Sequence, residues 1–252
     1  MYQVYALCCG EKDTTRSQFL YRDGSNDVCT IAFYFWLVIG PEGPIVVDCA
    51  FGADEARRRG VRDYRDRTAL LGACGVKPDE VKRVFMTHLH YDHWSGHDLF
   101  PNATFSIQRR EIDFWRNDGG RFALFNSSAD MTALAAVEHL TSAGRIHVVD
   151  GDWSVGAGLD AHLLGGHTPG LQTLSVSAGQ DRVLIASDTF HFYENLSARK
   201  PVQVTVNMQQ ALQAMERIAD LSHDNPDLAL PGHDPLVMQR FAGVAPGVAR
   251  VY

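Results

Sequence analysis

Long apolar stretches are missing from this chain. The longest, Ile31–Ile39, is strand-sized and falls far short of the ~20 residues that a helical membrane span needs, so no membrane partner is expected. Basic stripes are missing as well. Lys and Arg number 23 against 30 Asp and Glu, a net charge of −7, which argues against nucleic acid as the main ligand. Cysteine is scarce: five residues, an odd number, stand at 8, 9, 29, 49 and 74. That usage fits reduced thiols in a cytoplasmic protein and not a disulfide framework. Met1-Tyr2-Gln3-Val4-Tyr5 carries no charged region leading into a cleavable apolar segment, so export is not expected. No short repeat and no long linker interrupts the chain, and residues 1–252 read as a single domain.

What is present is an alternation of strands and helices. Val4–Cys9, Ile31–Ile39 and Ile45–Val47 are apolar segments, and the last two flank Gly40-Pro41-Glu42-Gly43-Pro44, so they read as an antiparallel hairpin. Helices are expected over Glu55–Gly60, Arg67–Ala73, Arg110–Asn117 and Ala129–Leu140. A last one starts near Asn207, which has capping-box spacing to Gln210, with apolar positions 208, 211, 212, 215, 218 and 219. Short strands are expected over Lys82–Met86, Ala103–Ile107, Ile146–Val149, Leu159–Leu164, Thr173–Ser177, Val183–Ala186 and Leu228–Leu230. Strands in sheet-sized groups among helices indicate a layered α/β protein. Residues 11–29 are polar apart from Phe19-Leu20-Tyr21 and read as a loop insertion, placed near a site or at a dimer interface.

The chemistry concentrates in Thr87-His88-Leu89-His90-Tyr91-Asp92-His93. The cluster follows a strand, where His88 and His90 point the same way if the chain is still extended, and a turn then brings Asp92 and His93 close by. Imidazole and carboxylate are the ligand types of zinc and similar divalent ions. Three more strand ends offer one ligand-type residue each: His167 in Gly165-Gly166-His167-Thr168-Pro169-Gly170, Asp188 after Ser187, and His233 in Pro231-Gly232-His233-Asp234. Loops of this kind gather at one edge of a sheet.

His88-x-His90-x-Asp92-His93 followed by His167, Asp188 and His233 resembles the metallo-β-lactamase superfamily over nearly the whole chain. The resemblance implies an αβ/βα four-layer sandwich and two zinc ions, with Mn, Co or Fe as substitutes. One ion would take His88, His90 and His167; the other would take Asp92, His93 and His233; Asp188 would bridge both. Asp48, after Ile45-Val46-Val47, matches a supporting aspartate of that family. Two divalent cations against two carboxylates and one hydroxide leave residual positive charge, which suits hydrolysis through an oxyanion.

Within the superfamily the chain is most similar to the N-acyl homoserine lactonases. The supporting stretches are His88–Gly96, Gly166–Gly170, Ala186-Ser187-Asp188 with Tyr193-Glu194-Asn195, and Gly232-His233-Asp234. Only 19 residues follow His233, too few for the helical extension of the glyoxalase II-like thioesterases. The resemblance implies opening of a lactone ring, an N-acyl homoserine lactone or a related cyclic ester, with Asp92 shuttling a proton to the leaving oxygen. Those lactonases carry a tyrosine three residues after the bridging aspartate, where this chain has His191, with Tyr193 two residues on. His191 and Tyr193 are therefore both candidate catalytic donors, and the alternatives are another ring such as a cyclic amide, or a thioesterase-like metallohydrolase. A metal-binding scaffold without activity and an iron-dependent redox protein are the rival classes. A homodimer is expected from the resemblance alone. His97, His139, His147, His162, His223 and Cys49 are read as structural, and Trp94 as an aromatic candidate for the pocket wall.

Overall fold

The apolar run at residues 31–39 has two faces to bury, and it lies between two layers. In the computed structural model, which describes all 252 residues, the strands are β1 (Gln3–Thr15), β2 (Val28–Gly40), β3 (Gly43–Val47), β4 (Arg83–Phe85), β5 (Thr104–Gln108), β6 (Ile146–Val149), β7 (Trp153–Gly156), β8 (Leu159–Leu163), β9 (Gln172–Ala178), β10 (Asp181–Ser187), β11 (Ala229–Pro231), β12 (Ala242–Ala245) and β13 (Val248–Arg250). The helices are α1 (Ala53–Arg59), α2 (Arg67–Ala73), α3 (Tyr91–Trp94), α4 (Arg109–Phe114), α5 (Ala123–Asn126), α6 (Met131–Ser142), α7 (Tyr193–Ala198), α8 (Met208–Leu221) and α9 (Val237–Arg240). An eight-stranded sheet has the order β12-β13-β1-β2-β3-β4-β5-β6, and a five-stranded sheet β11-β10-β9-β8-β7.

Alternation along the strands sorts side chains into layers. From β2, Ile31, Phe33, Phe35 and Leu37 pack with Leu71, Ile112 and Val137 of the helices. Ala32, Tyr34, Trp36 and Val38 face the other way, against Leu174, Val176, Val183 and Ile185 of the second sheet. Leu184 and Ala186 then meet Ala214 and Ile218 of α8. Helix, sheet, sheet, helix is the result: the αβ/βα sandwich. Each fully buried Leu, Ile or Phe contributes roughly 1.5–3 kcal/mol, so the doubly buried β2 fixes the order of the layers.

Helix starts follow local chemistry. The Asp66 carboxylate accepts from Thr68 N (2.9 Å) and begins α2; Asp130 accepts from Thr132 N (3.0 Å) and begins α6; Asn207 accepts from Gln210 N (3.0 Å) and begins α8. Leu212, expected on the buried face of α8, is 40% exposed, and Ala214 takes its place in the core.

Residues 11–29 are not one loop. Glu11–Thr15 lengthens β1, pairing from Glu11 opposite Ala32 to Thr15 opposite Val28, so only residues 16–27 form the hairpin tip. Strand pairing needs backbone groups and not apolar side chains, so this polar stretch joins the ladder. The tip is held over α7: Asn195 Nδ2 donates to Phe19 O (2.8 Å), and Arg16 pairs with Glu194. Three short strands, β7, β12 and β13, were also not foreseen. β13 closes the outer edge of β1, with Tyr5 opposite Arg250 and Leu7 opposite Val248.

Candidate metal centre

Strand direction collects the candidate residues at one edge. β3 and β4 are parallel, as are β10 and β11, and β8 runs with β10 because each is antiparallel to β9. Within each sheet the carboxyl ends of these strands therefore point the same way. Asp48 follows β3, residues 88–93 follow β4, His167 follows β8, Asp188 follows β10 and His233 follows β11. His88, His90, Asp92, His93, His167, Asp188, His191 and His233 are all buried.

Asp188 is the hub. Its Oδ2 lies 3.8 Å from His88 Nε2, 3.5 Å from His93 Nε2, 3.4 Å from His167 Nε2, 3.3 Å from His233 Nε2 and 3.2 Å from His191 Nε2. His90 Nδ1 stands 3.0 Å from His88 Nε2 and 2.9 Å from His167 Nε2. Asp92 reaches His233 Nε2 at 3.4 Å and His93 Nε2 at 3.8 Å. A Cβ at position 232 would stand 2.1 Å from Asp188 Oδ1, so Gly232 is what lets the hub sit against β11.

The surroundings fix which nitrogen of each ring faces inward. His167 Nδ1–H donates to Val204 O (2.5 Å); His233 Nδ1–H donates to Ala32 O (2.9 Å); His93 Nδ1–H donates to Asp48 Oδ2 (2.7 Å). Asp48 also accepts from Thr87 N and Thr87 Oγ1, both at 2.8 Å. It does so from a left-handed backbone, φ 64°, an uncommon conformation held here by these bonds. Each of these three rings is left with an Nε2 lone pair aimed at the others and at carboxylate oxygens. His93 Nε2 and Asp188 Oδ1 are buried with no hydrogen-bond partner.

Lone pairs facing lone pairs and carboxylates repel unless cations sit among them. The donor atoms include two disjoint groups, His88–His90–His167–Asp188 and Asp92–His93–His233, each close enough to hold one ion, and a third, Asp188–His191–His233, that overlaps both. The residues thus fit a pair of divalent ions, on donor chemistry and on the orphaned buried atoms alike.

Without ions, the two groups differ in their tendency to take up a proton. Burial, helped by neighbouring imidazoles, holds His88 and His90 well below the ordinary histidine range and drives His167 down to about 3. Burial also opposes charge on His93 and His233, but the carboxylates, Asp188 foremost, outweigh it and raise both. Burial pushes the Asp188 carboxyl up, and the surrounding histidines, His233 foremost, pull it well below the carboxylate range.

A cavity of about 110 Å³ opens over the centre, lined by Phe19, Ile31, Phe33, Tyr91 and Val204 together with Asp92, Asp188 and His191. Phe19, from the hairpin tip, lies 5.0 Å from the His191 ring and 6.2 Å from His233.

The two candidate donors separate. His191 is in the cavity, its Nε2 toward Asp188 and its Nδ1 buried without a partner. Tyr193 is not: its ring packs in the inter-sheet core under the Arg240 guanidinium (4.1 Å) and borders a different cavity beside α8. The helical turn that opens α7 at Tyr193 rotates its side chain away from the centre. Trp94 is core, its Nε1 donating to Ala133 O (2.7 Å), and His97 stacks behind it at 4.5 Å. Cys49 is likewise fully buried.

Sequence reading missed Glu111, which is fully buried in α4 and bonded to both ligand-bearing loops. A lone acidic residue in a helix carries no signal of that role. It also missed the carbonyls of Val204 and Ala32, which any residue could supply.

Comparison with known proteins bears on the family and the fold. Residues 34–233 match the family described as the Metallo-beta-lactamase superfamily. An N-acyl homoserine lactonase of Bacillus thuringiensis is 24% identical over 218 residues, 79% of this chain and 80% of its own. An N-acyl homoserine lactonase AttM of Azorhizobium caulinodans is 24% identical over 264 residues, 97% of each chain. Among solved structures, an N-acyl homoserine lactone hydrolase with the product N-hexanoyl-L-homoserine bound at its catalytic metal centre superimposes with a TM-score of 0.78. It is 20% identical and covers 94% of this chain and 95% of its own.

Proposed function

Because the chain belongs to the metallo-β-lactamase superfamily, we propose that it is a metal-dependent hydrolase that opens a lactone ring, an N-acyl homoserine lactone or a related cyclic ester. The observation that carries this reading is Asp188 Oδ2 within 3.8 Å of five histidine nitrogens, beneath a cavity with apolar walls. The N-acyl homoserine lactonases similar to it span about the same length.

His88, His90 and His167 would hold one ion and Asp92, His93 and His233 the other, with Asp188 facing both. Five imidazoles with two carboxylates suit zinc. When bound, the ions polarise a carbonyl and lower the pKa of water, so that a nucleophile exists at neutral pH. Asp92, which lines the cavity, takes up the proton of the attacking water and returns it to the leaving oxygen. His191 presents an N–H beside the reacting centre, where the lactonases it resembles have tyrosine. Phe19, Ile31 and Phe33 exclude water and receive apolar substituents of the ring.

His191 favours one second reading, a cyclic amide whose nitrogen accepts a hydrogen bond from that N–H while Asp92 delivers the proton taken from water on ring opening. Five free cysteines support a reducing, cytoplasmic setting. A homodimer rests on the resemblance to the lactonases.

The test is pH-stat proton release by the zinc-loaded protein against a panel of lactones and cyclic amides, with Asp188→Asn as control. Fast opening of acyl homoserine lactones, lost in the control, is expected. Turnover of a cyclic amide in their place selects the second reading. Silence across the panel overturns both.

A further inference from the structure

The three histidines assigned to one ion come from two sheets: His88 and His90 follow β4 of the larger, His167 follows β8 of the smaller. Something must hold those two loops in register, because a tridentate site is only as good as the spacing of its donors.

Glu111 meets both loops. Its Oε1 accepts the N–H of Leu89 (3.0 Å), the residue between His88 and His90. Its Oε2 accepts the N–H of Gly170 (3.0 Å), three residues after His167. Oε1 accepts a third bond from Trp115 Nε1 (2.8 Å), and the Trp115 ring stands edge-on to His90 at 5.7 Å. A second observation, independent of these bonds, concerns shape. A Cβ on Gly170 would lie 2.4 Å from both Glu111 N and Cβ, so glycine at 170 is what allows α4 to approach the loop at all.

Three N–H donors converge on the carboxyl, two of them backbone. Negative charge on the carboxyl strengthens each of these bonds, while its complete burial opposes that charge. Neither Leu89 nor Gly170 offers a side chain for this purpose; the carboxylate reads backbone positions alone.

We propose that Glu111 is a positioning residue for the ion held by His88, His90 and His167, setting the distance between the loops that carry them. This rests on the reading of the centre as dinuclear. It touches no donor of the Asp92–His93–His233 group, so its effect falls on one ion. Glu111→Gln keeps the shape but turns an amide N–H₂ toward one of the N–H donors. One loop then loses its tether.

The experiment is stepwise metal binding, by chelator competition with Zn²⁺ and by Co²⁺ absorption, on the full chain and on Glu111→Gln. The wild-type chain is expected to bind two ions. In the variant, one dissociation constant rises on the order of 10–100-fold and the other is unchanged. A general loosening of the fold would weaken both, and equal changes in both, or no change in either, overturn the proposal. Trp115→Phe keeps a ring beside His90 and removes a single donor. A smaller rise confined to the same ion is expected from it, and it decides the matter if Glu111→Gln does not fold. A wild-type chain that binds fewer than two ions overturns the dinuclear reading itself, a failure distinct from the two above.

Discussion

The two halves of the centre are built by different means. In the N-terminal half the donors lie within six consecutive residues, 88–93, and buried carboxylates orient them: Asp48 through His93 and Thr87, Glu111 through Leu89. In the C-terminal half, each donor comes from its own strand end, and backbone carbonyls orient the rings, Val204 O for His167 and Ala32 O for His233. A carboxylate can be removed by one substitution, whereas a carbonyl cannot. The first half is therefore vulnerable in its side chains and the second in its backbone.

Asp188 belongs to both halves, and removing its charge is the most severe way to break the contrast. Asp188→Asn is expected to lower kcat/KM by about 10³-fold or more and to leave fewer than two ions per chain by elemental analysis. Next comes Asp48→Ala, which strands the N–H of His93 and both donors of Thr87. It is expected to weaken metal binding about 10–100-fold, read by chelator competition. It also lowers stability by roughly 1–3 kcal/mol for each donor left unsatisfied, read by urea unfolding of the metal-free protein.

The carbonyl-held half is tested through its backbone. A Cβ at Gly166 would lie 2.5 Å from the Ala211 backbone, at φ +91°. Gly166→Ala is expected to destabilise by about 2–3 kcal/mol, a lower melting temperature accompanied by displacement of His167. The smallest effect lies outside the centre. Asp152 accepts from Leu163 N (2.9 Å) and pairs with Arg217 of α8. Burial pushes its carboxyl up, but the Arg217 guanidinium and the Leu163 N–H outweigh it and hold it below the usual carboxylate range. Its contribution is thus present above the unfolded pKa of about 3.9 and lost as pH falls through the lowered folded value. The pair is half exposed, so Asp152→Asn is expected to cost only about 0.5 kcal/mol at pH 7. The difference from wild type vanishes in strong acid, as thermal melts across pH will show.

The same contrast explains what could be read in advance. Residues 88–93 declared themselves because the donors are contiguous, and Arg67–Ala73 and the Asn207 cap because their signals are local. The sandwich was implied by the resemblance to the metallo-β-lactamase superfamily, and the meeting of His167, Asp188 and His233 at one edge followed from strand ends. Which of His191 and Tyr193 faces the centre was not legible. It depends on the turn that opens α7, and that turn is set by packing, with Tyr193 N donating to Asp234 Oδ2 (3.0 Å). The polar half of β1 hid for a similar reason, since its strand character comes from pairing with β2. Glu111 hid because its partners are amide groups 22 and 59 residues away in the chain.

The closure of β1 by β13 bears on how the molecule is made. The donors of the centre are complete once His233 has been synthesised, yet β1 gains its outer neighbour only with Val248–Arg250. A nascent chain that stalls between these points holds a finished catalytic edge beside an open strand of thirteen residues. Such an edge templates pairing with other chains, so loss of the last few residues would be felt first as aggregation during expression, before any loss of turnover.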